Sequence, residues 1–167
     1  MLGDGRGNPV DHVEWVHVWL PTSGGQMARI ITVVNCRLGL AHPELQRWYD
    51  ACIHFSDVAL LTCRDGVPNK WVADFSARFR KQHFPCLIEL VKADEVDNPA
   101  LVLEPEARRM SMLFDGQEAW PEPDEDEDLD EMSDADLIGA VDPYIERLAT
   151  GRRAREIPDI TTFLPAS

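Results

Sequence analysis

The chain has 167 residues, 44% hydrophobic and 28% charged, with 16 Lys and Arg against 30 Asp and Glu for a formal charge of −14. That length holds one domain with a real core plus an appendage. Ten of the acids lie between Pro121 and Asp136 with no base among them, so the rest of the chain carries only −4. This balance argues against nucleic-acid binding driven by phosphate neutralisation, and no apolar run approaches the ~18 residues of a membrane span.

In chain order, residues 1–12 are Gly-rich and polar and read as a flexible leader. Val13–Leu20 (VEWVHVWL) is β-branched and aromatic up to Pro21 and reads as a strand covered on both faces. Thr22-Ser23-Gly24-Gly25 would be the loop leaving it, and Ile30–Val34 a second buried strand. The period then changes. Pro43 suits a first helical turn, and Leu45, Trp48, Cys52 and Phe55 form an apolar stripe at helical spacing. Val58–Leu61 reads as a third strand closed by Gly66, with Asn69 as the cap of a helix carrying Val72, Phe75 and Phe79 on one face. Pro85 ends that helix, and Cys86–Val91 is a fourth strand. Leu101-Val102-Leu103 and Met112-Leu113-Phe114 suggest an added hairpin.

Strands alternating with amphipathic helices predict an α/β domain over 13–118, a three-layer, mostly parallel sheet with flanking helices. An acidic linker follows over 119–132, then a helical or extended docking tail over 133–167. In the tail, Ser133 and Asp136 resemble a capping box opening a helix through Leu137 and Ile138. Tyr144, Ile145 and Leu148 give one more apolar face, and Arg152, Arg153 and Arg155 precede spaced hydrophobes that suit docking on the parent domain or on another protein.

Ligands of an open α/β sheet bind beyond the carboxyl ends of the strands. The residues expected there are Thr22, Ser23, Gly24, Gly25, Asn35, Cys36, Arg37, Thr62, Cys63, Arg64, Asp65, and the loop Lys92-Ala93-Asp94. Each has a plainer alternative. Asp65 either recognises a base or opens an Asp-Gly turn, and Ser23–Gly25 either holds an anion in its N–H groups or simply links two strands. Cys36, Cys52, Cys63 and Cys86 show no CxxC spacing and read as buried thiols of a reducing cytoplasm. A zinc or redox site would need Cys36 and Cys63 to meet in space as well as in spacing. No G-x-S-x-G elbow or Ser-His-Asp order is present.

The run Ile31–Asp65 (ITVVNCRLGLAHPELQRWYDACIHFSDVALLTCRD) resembles the middle of the CobW-type P-loop GTPases, the metallochaperone family. That pattern is a strand ending V-V-D, a helix with Gln and Ala, then A-D-x-x-L-L-N/T-K-x-D. VHVWLPTSGG resembles the family's strand leading into an E-T-S-G loop, and VDNPA its I-N-P-x-A segment. The likeness spans roughly residues 14–100 and implies the fold. The catalytic parts depart from it: no G-x-x-x-x-G-K-S/T occurs, Asn35 replaces the acid after V-V, Cys63 replaces the specificity Lys, and Cys-x-Cys-Cys is missing. Phosphoryl transfer rests on those groups.

The expectation is therefore a non-catalytic interaction or regulatory protein on a degenerate GTPase-like scaffold, without cofactor, engaging a protein partner through its tail. The alternative is a guanine-nucleotide-binding protein or GTPase completed by a partner's P-loop, with GTP or GDP and magnesium. Its contacts would be Thr22, Ser23, Gly24, Gly25, Asn35, Thr62 and Asp65. A sheet lacking the family's first strand would leave an edge to be covered, which favours a homodimer.

Overall fold

The computed structural model describes residues 1–115 and 142–164. Its first element corrects the strand expected over Val13–Leu20: the segment is helix α1, Pro9–Thr22. The reason lies just upstream. Asn8 accepts from the backbone N–H of Val10 at 2.9 Å and of Asp11 at 3.4 Å, and Pro9 occupies the first helical position. A side-chain cap, a pre-set φ and an acid in the first turn together outweigh the strand preference of the β-branched run. The leader is correspondingly shorter than residues 1–12.

After α1 come β1 (Ile31–Asn35), α2 (Cys36–Ala41), a 3-10 turn (Pro43–Leu45), α3 (Gln46–His54), β2 (Val58–Thr62) and α4 (Asn69–Lys81). Then follow β3 (Leu87–Lys92), β4 (Glu95–Val96), α5 (Pro99–Leu103) and a final 3-10 turn, Ile160–Phe163. The sheet order is β1-β2-β3-β4, with the first two pairings parallel and β4 antiparallel on β3. The fold is thus α/β, a mostly parallel mixed sheet with flanking helices. Residue 68, not Asn69, is the cap position of α4; Pro68 stands there in extended backbone. The hairpin expected over Leu101–Phe114 is replaced by α5, which Asn98 caps by accepting from the Leu101 N–H at 3.2 Å. The hairpin of this region is β3–β4 instead. Ala93 and Asp94, at φ 48 and 63, make its two-residue turn.

Two successive crossovers in one direction put α3 and α4 on the same side of the sheet. Val34, Leu61 and Leu90 stand in register and, with Ala59 and Ile88, meet Trp48, Tyr49, Cys52, Ile53, Val72, Phe75 and Phe79 in a single core. On the other face Val33 remains 59% exposed. Each fully buried aromatic of this core contributes on the order of 2–3 kcal/mol.

The amino end of the sheet is fastened by Asp57, which is fully buried. Its carboxylate accepts from the Ile30 N–H at 2.7 Å, the Arg108 N–H at 2.6 Å, and Arg109 Nη1 at 3.1 Å on both oxygens. Arg29, just before β1, reaches the carbonyls of Leu101 (3.0 Å), Glu106 (2.8 Å) and Glu104.

The chain forms two compact units, Met1–Ser111 with Ile157–Ser167, and Met112–Glu156. Ile157, Ile160, Phe163 and Leu164 pack into the core of the first, so this part of the tail docks on its own domain. In the second unit Tyr144 is buried, Arg155 lies over its ring at 5.1 Å, and Arg153 donates to its carbonyl at 3.2 Å. Arg147 and Arg153 form an antiparallel bridge around the turn at Gly151, φ 81. The acidic linker 119–132 and the helix expected from Ser133 lie outside the described residues.

Candidate functional site

β1 and β2 leave the sheet side by side, with Asn35 opposite Thr62. β1 runs straight into α2 with no loop between them, because the Asn35 carboxamide oxygen accepts from the Leu38 N–H at 3.0 Å and caps the helix. The Asn35 carbonyl accepts from the Tyr49 hydroxyl at 3.2 Å, and the Thr62 hydroxyl donates to the Val34 carbonyl at 3.1 Å. Both candidate side chains are therefore engaged by the fold. Asp65 is exposed within a turn closed by the Val67 N–H on the Arg64 carbonyl at 2.9 Å. Gly66 takes φ +79 there, a conformation glycine reaches without strain.

Thr22, Ser23, Gly24 and Gly25 do not join this edge as strand-exit residues. They end α1 and lead into the amino end of β1, so the expectation that they follow a strand is corrected. Their groups turn inward. The Thr22 and Ser23 hydroxyls donate to the Trp19 and Leu20 carbonyls at 2.6 and 2.7 Å, and the Ser23 and Gly24 N–H groups bond the carbonyls of Trp19 and Pro21 at 3.2 and 3.3 Å. A cradle for an anion needs such N–H groups free. Lys92–Asp94, expected as another exit, is the turn of the β3–β4 hairpin.

Cys36 and Cys63 leave adjacent strands at this edge, each one residue beyond the Asn35–Thr62 pair. Cys36 opens α2 and is fully buried, whereas Cys63 follows Thr62 and is exposed, which corrects the reading of all four thiols as buried. Cys63 has φ 51, in the left-handed region. Burial pushes the Cys36 thiol up to about 11, opposed by the Arg64 guanidinium and reinforced by Cys63. Burial likewise raises the Tyr49 hydroxyl, with Cys52, Cys36 and Cys63 adding to it.

Beside this edge, Gly39, Tyr49, Trp71, Phe75, Asp74 and Arg78 border a cleft of about 300 Å³. Trp71 stacks on Phe75 with ring centres 5.3 Å apart. Arg78 is tied to Asp50 at 3.2 Å and lies over the Phe79 ring at 4.6 Å, so it is held against the cleft wall. Among the described residues, no three His, Cys, Asp or Glu side chains converge to hold a metal ion. Nor is any described helix long and apolar enough to cross a membrane.

Among the described residues, the most exposed aromatic surface lies on α1. Trp15 and Trp19 are 56% and 41% exposed and stack nearly parallel, 5.7 Å apart, with Val18 beside them at 71%. The strand assignment hid this stripe. Read from the Asn8-Pro9 start at helical spacing, residues 15, 18 and 19 fall on one face.

Comparison with protein-family models, curated proteins and solved structures finds no match to this chain.

Proposed function

We propose that the protein is a non-catalytic interaction or regulatory module that binds a second copy of itself through α1. The observation that carries this reading is the solvent-facing Trp15–Val18–Trp19 stripe. Large aromatic groups left in water at helical spacing favour a partner surface. The stripe itself is uncharged in a chain of formal charge −14, so two copies meet there with the least repulsion. Self-association through one helix places the two stripes against each other across a two-fold axis. Burying the three side chains removes on the order of 300 Å² per copy, well below the ~800 Å² of a standard interface. The association is accordingly weak and concentration-dependent.

Sedimentation velocity over a wide concentration range tests this. The native chain is expected to shift toward dimer as concentration rises, and Trp15→Ser/Trp19→Ser to stay monomeric. A native chain that remains monomeric throughout, or a double variant that dimerises equally well, overturns the proposal.

A second reading, guanine-nucleotide binding completed by a partner's P-loop, draws on the register of Asn35 with Thr62 and the nearby Asp65. Against it stand the engaged side chains of Asn35 and Thr62. Thermal unfolding with GTP, GDP or ATP, each with magnesium, separates the two. A ligand at 100 times its Kd adds about 2.7 kcal/mol. No shift is expected; a guanine-specific shift lost in Asp65→Ala favours the second reading.

A further inference from the structure

We propose that Cys36 and Cys63 are a dithiol–disulfide pair, a modification site at which a small disulfide oxidant cross-links the exits of β1 and β2. Each cysteine stands one residue beyond an in-register partner, Asn35 opposite Thr62. At that last pair the strands run ~4.8 Å apart, and a disulfide spans Cα atoms ~4.4–6.8 Å apart. The Tyr49 hydroxyl, fixed on the Asn35 carbonyl at 3.2 Å, lies within electrostatic reach of Cys52, Cys36 and Cys63, and Cys63 acts on Cys36 itself.

Their surroundings divide the roles. Cys63 is exposed, so it meets a solution oxidant first. Cys36 is fully buried and resolves the adduct. Cys52 and Cys86 are also buried, in α3 and just before β3, and neither neighbours an exposed thiol in register.

The oxidant is a low-molecular-weight disulfide such as oxidised glutathione. Cys63 gives up its proton and its thiolate attacks one sulfur; the oxidant's S–S bond breaks, and the first small thiolate leaves and takes up a proton. Cys36 then loses its proton and attacks the Cys63 sulfur. The protein S–S bond forms as the second small thiolate departs and is protonated. Two protein thiols are oxidised and one small disulfide is reduced to two thiols. Because burial holds Cys36 protonated, the closing step is the slow one and quickens with rising pH.

The test is incubation of the folded full chain with oxidised glutathione at pH 7 and 9, followed by thiol blocking and peptide mapping under non-reducing conditions. The expected product is one cross-linked peptide pair joining Cys36 to Cys63, lighter by two hydrogens, forming faster at pH 9. Cys36→Ser should instead retain one glutathione on Cys63, and Cys63→Ser should show neither adduct nor cross-link. Since Cys36 is in the core, Cys52→Ala/Cys86→Ala provides a second check that leaves the pair intact and should still cross-link. A native chain that stops at the Cys63 adduct at both pH values, or that cross-links through Cys52 or Cys86, overturns the proposal.

Discussion

Replacing Asp57 by Ala tests whether one carboxylate holds the amino end of the sheet together. The substitution removes the carboxylate that Arg109, only 2% exposed at its side chain, meets on both oxygens. Breaking a buried pair from one side costs about 3–5 kcal/mol. The Ile30 and Arg108 N–H groups also lose their acceptor, and an unsatisfied buried donor costs about 1–3 kcal/mol. The total, roughly 5–11 kcal/mol, equals or exceeds much of the 5–15 kcal/mol stability of a typical domain. Asp57→Ala is therefore expected to be largely unfolded at 25 °C by far-UV circular dichroism and urea titration. Asp57→Ala/Arg109→Met removes both members of the pair and should recover at least ~2 kcal/mol of that loss, since an apolar replacement of a buried pair is often neutral. If Asp57→Ala costs less than ~2 kcal/mol, or the second substitution brings no recovery, the carboxylate is not the fastening described here.

Gly39→Ala sets two effects against each other. In helix α2, alanine should gain about 1 kcal/mol over glycine, but its Cβ would stand 3.1 Å from Trp71 and 3.3 Å from Tyr49. Overpacking of about 1–3 kcal/mol should win, giving net destabilisation in urea unfolding; net stabilisation would show that Trp71 yields freely. Stability should also fall on the alkaline side. Cys36 and Cys86 are raised by burial from 9.0 to about 11 and about 12, and Cys52 is raised as well. Above pH 9 the unfolded chain loses these protons while the folded one keeps them. The stability from each thiol is thus full below pH 9 and declines at up to ~1.4 kcal/mol per pH unit until its folded-state pKa is reached. Urea titrations from pH 8 to 10.5 should show that decline, and a flat profile would refute the assignment of these thiols as neutral in the fold.

The parts of the fold legible in the sequence were those with a strong period and clear stops. The stripes Leu45–Trp48–Cys52 and Val72–Phe75–Phe79 became α3 and α4, and the short apolar runs between them became β1, β2 and β3. Residues 13–20 misled because β-branched and aromatic types suit a strand, while the decisive cap sits at Asn8 and Pro9, outside the run. With α1 in place of a strand, Thr22–Gly25 lie away from the strand exits. Helix α2 was hidden for another reason: six residues are too few for a period, and its start depends on the Asn35 carboxamide reaching Leu38. That Cys36 and Cys63 leave adjacent strands at one level depends on the register of β1 on β2, which no single-chain pattern encodes.

The first unit is assembled from two stretches of chain separated by the whole of Met112–Glu156. Its closing stretch is held by side-chain packing, with Ile160 only 5% exposed and Ile157, Phe163 and Leu164 set against the same core. A backbone cut between residues 112 and 156 would leave that packing as the link between the two stretches of the first unit. The protein is built like a complementation pair, with residues 157–164 as a short peptide fitted to the remainder. Covalent continuity keeps that peptide at high effective concentration.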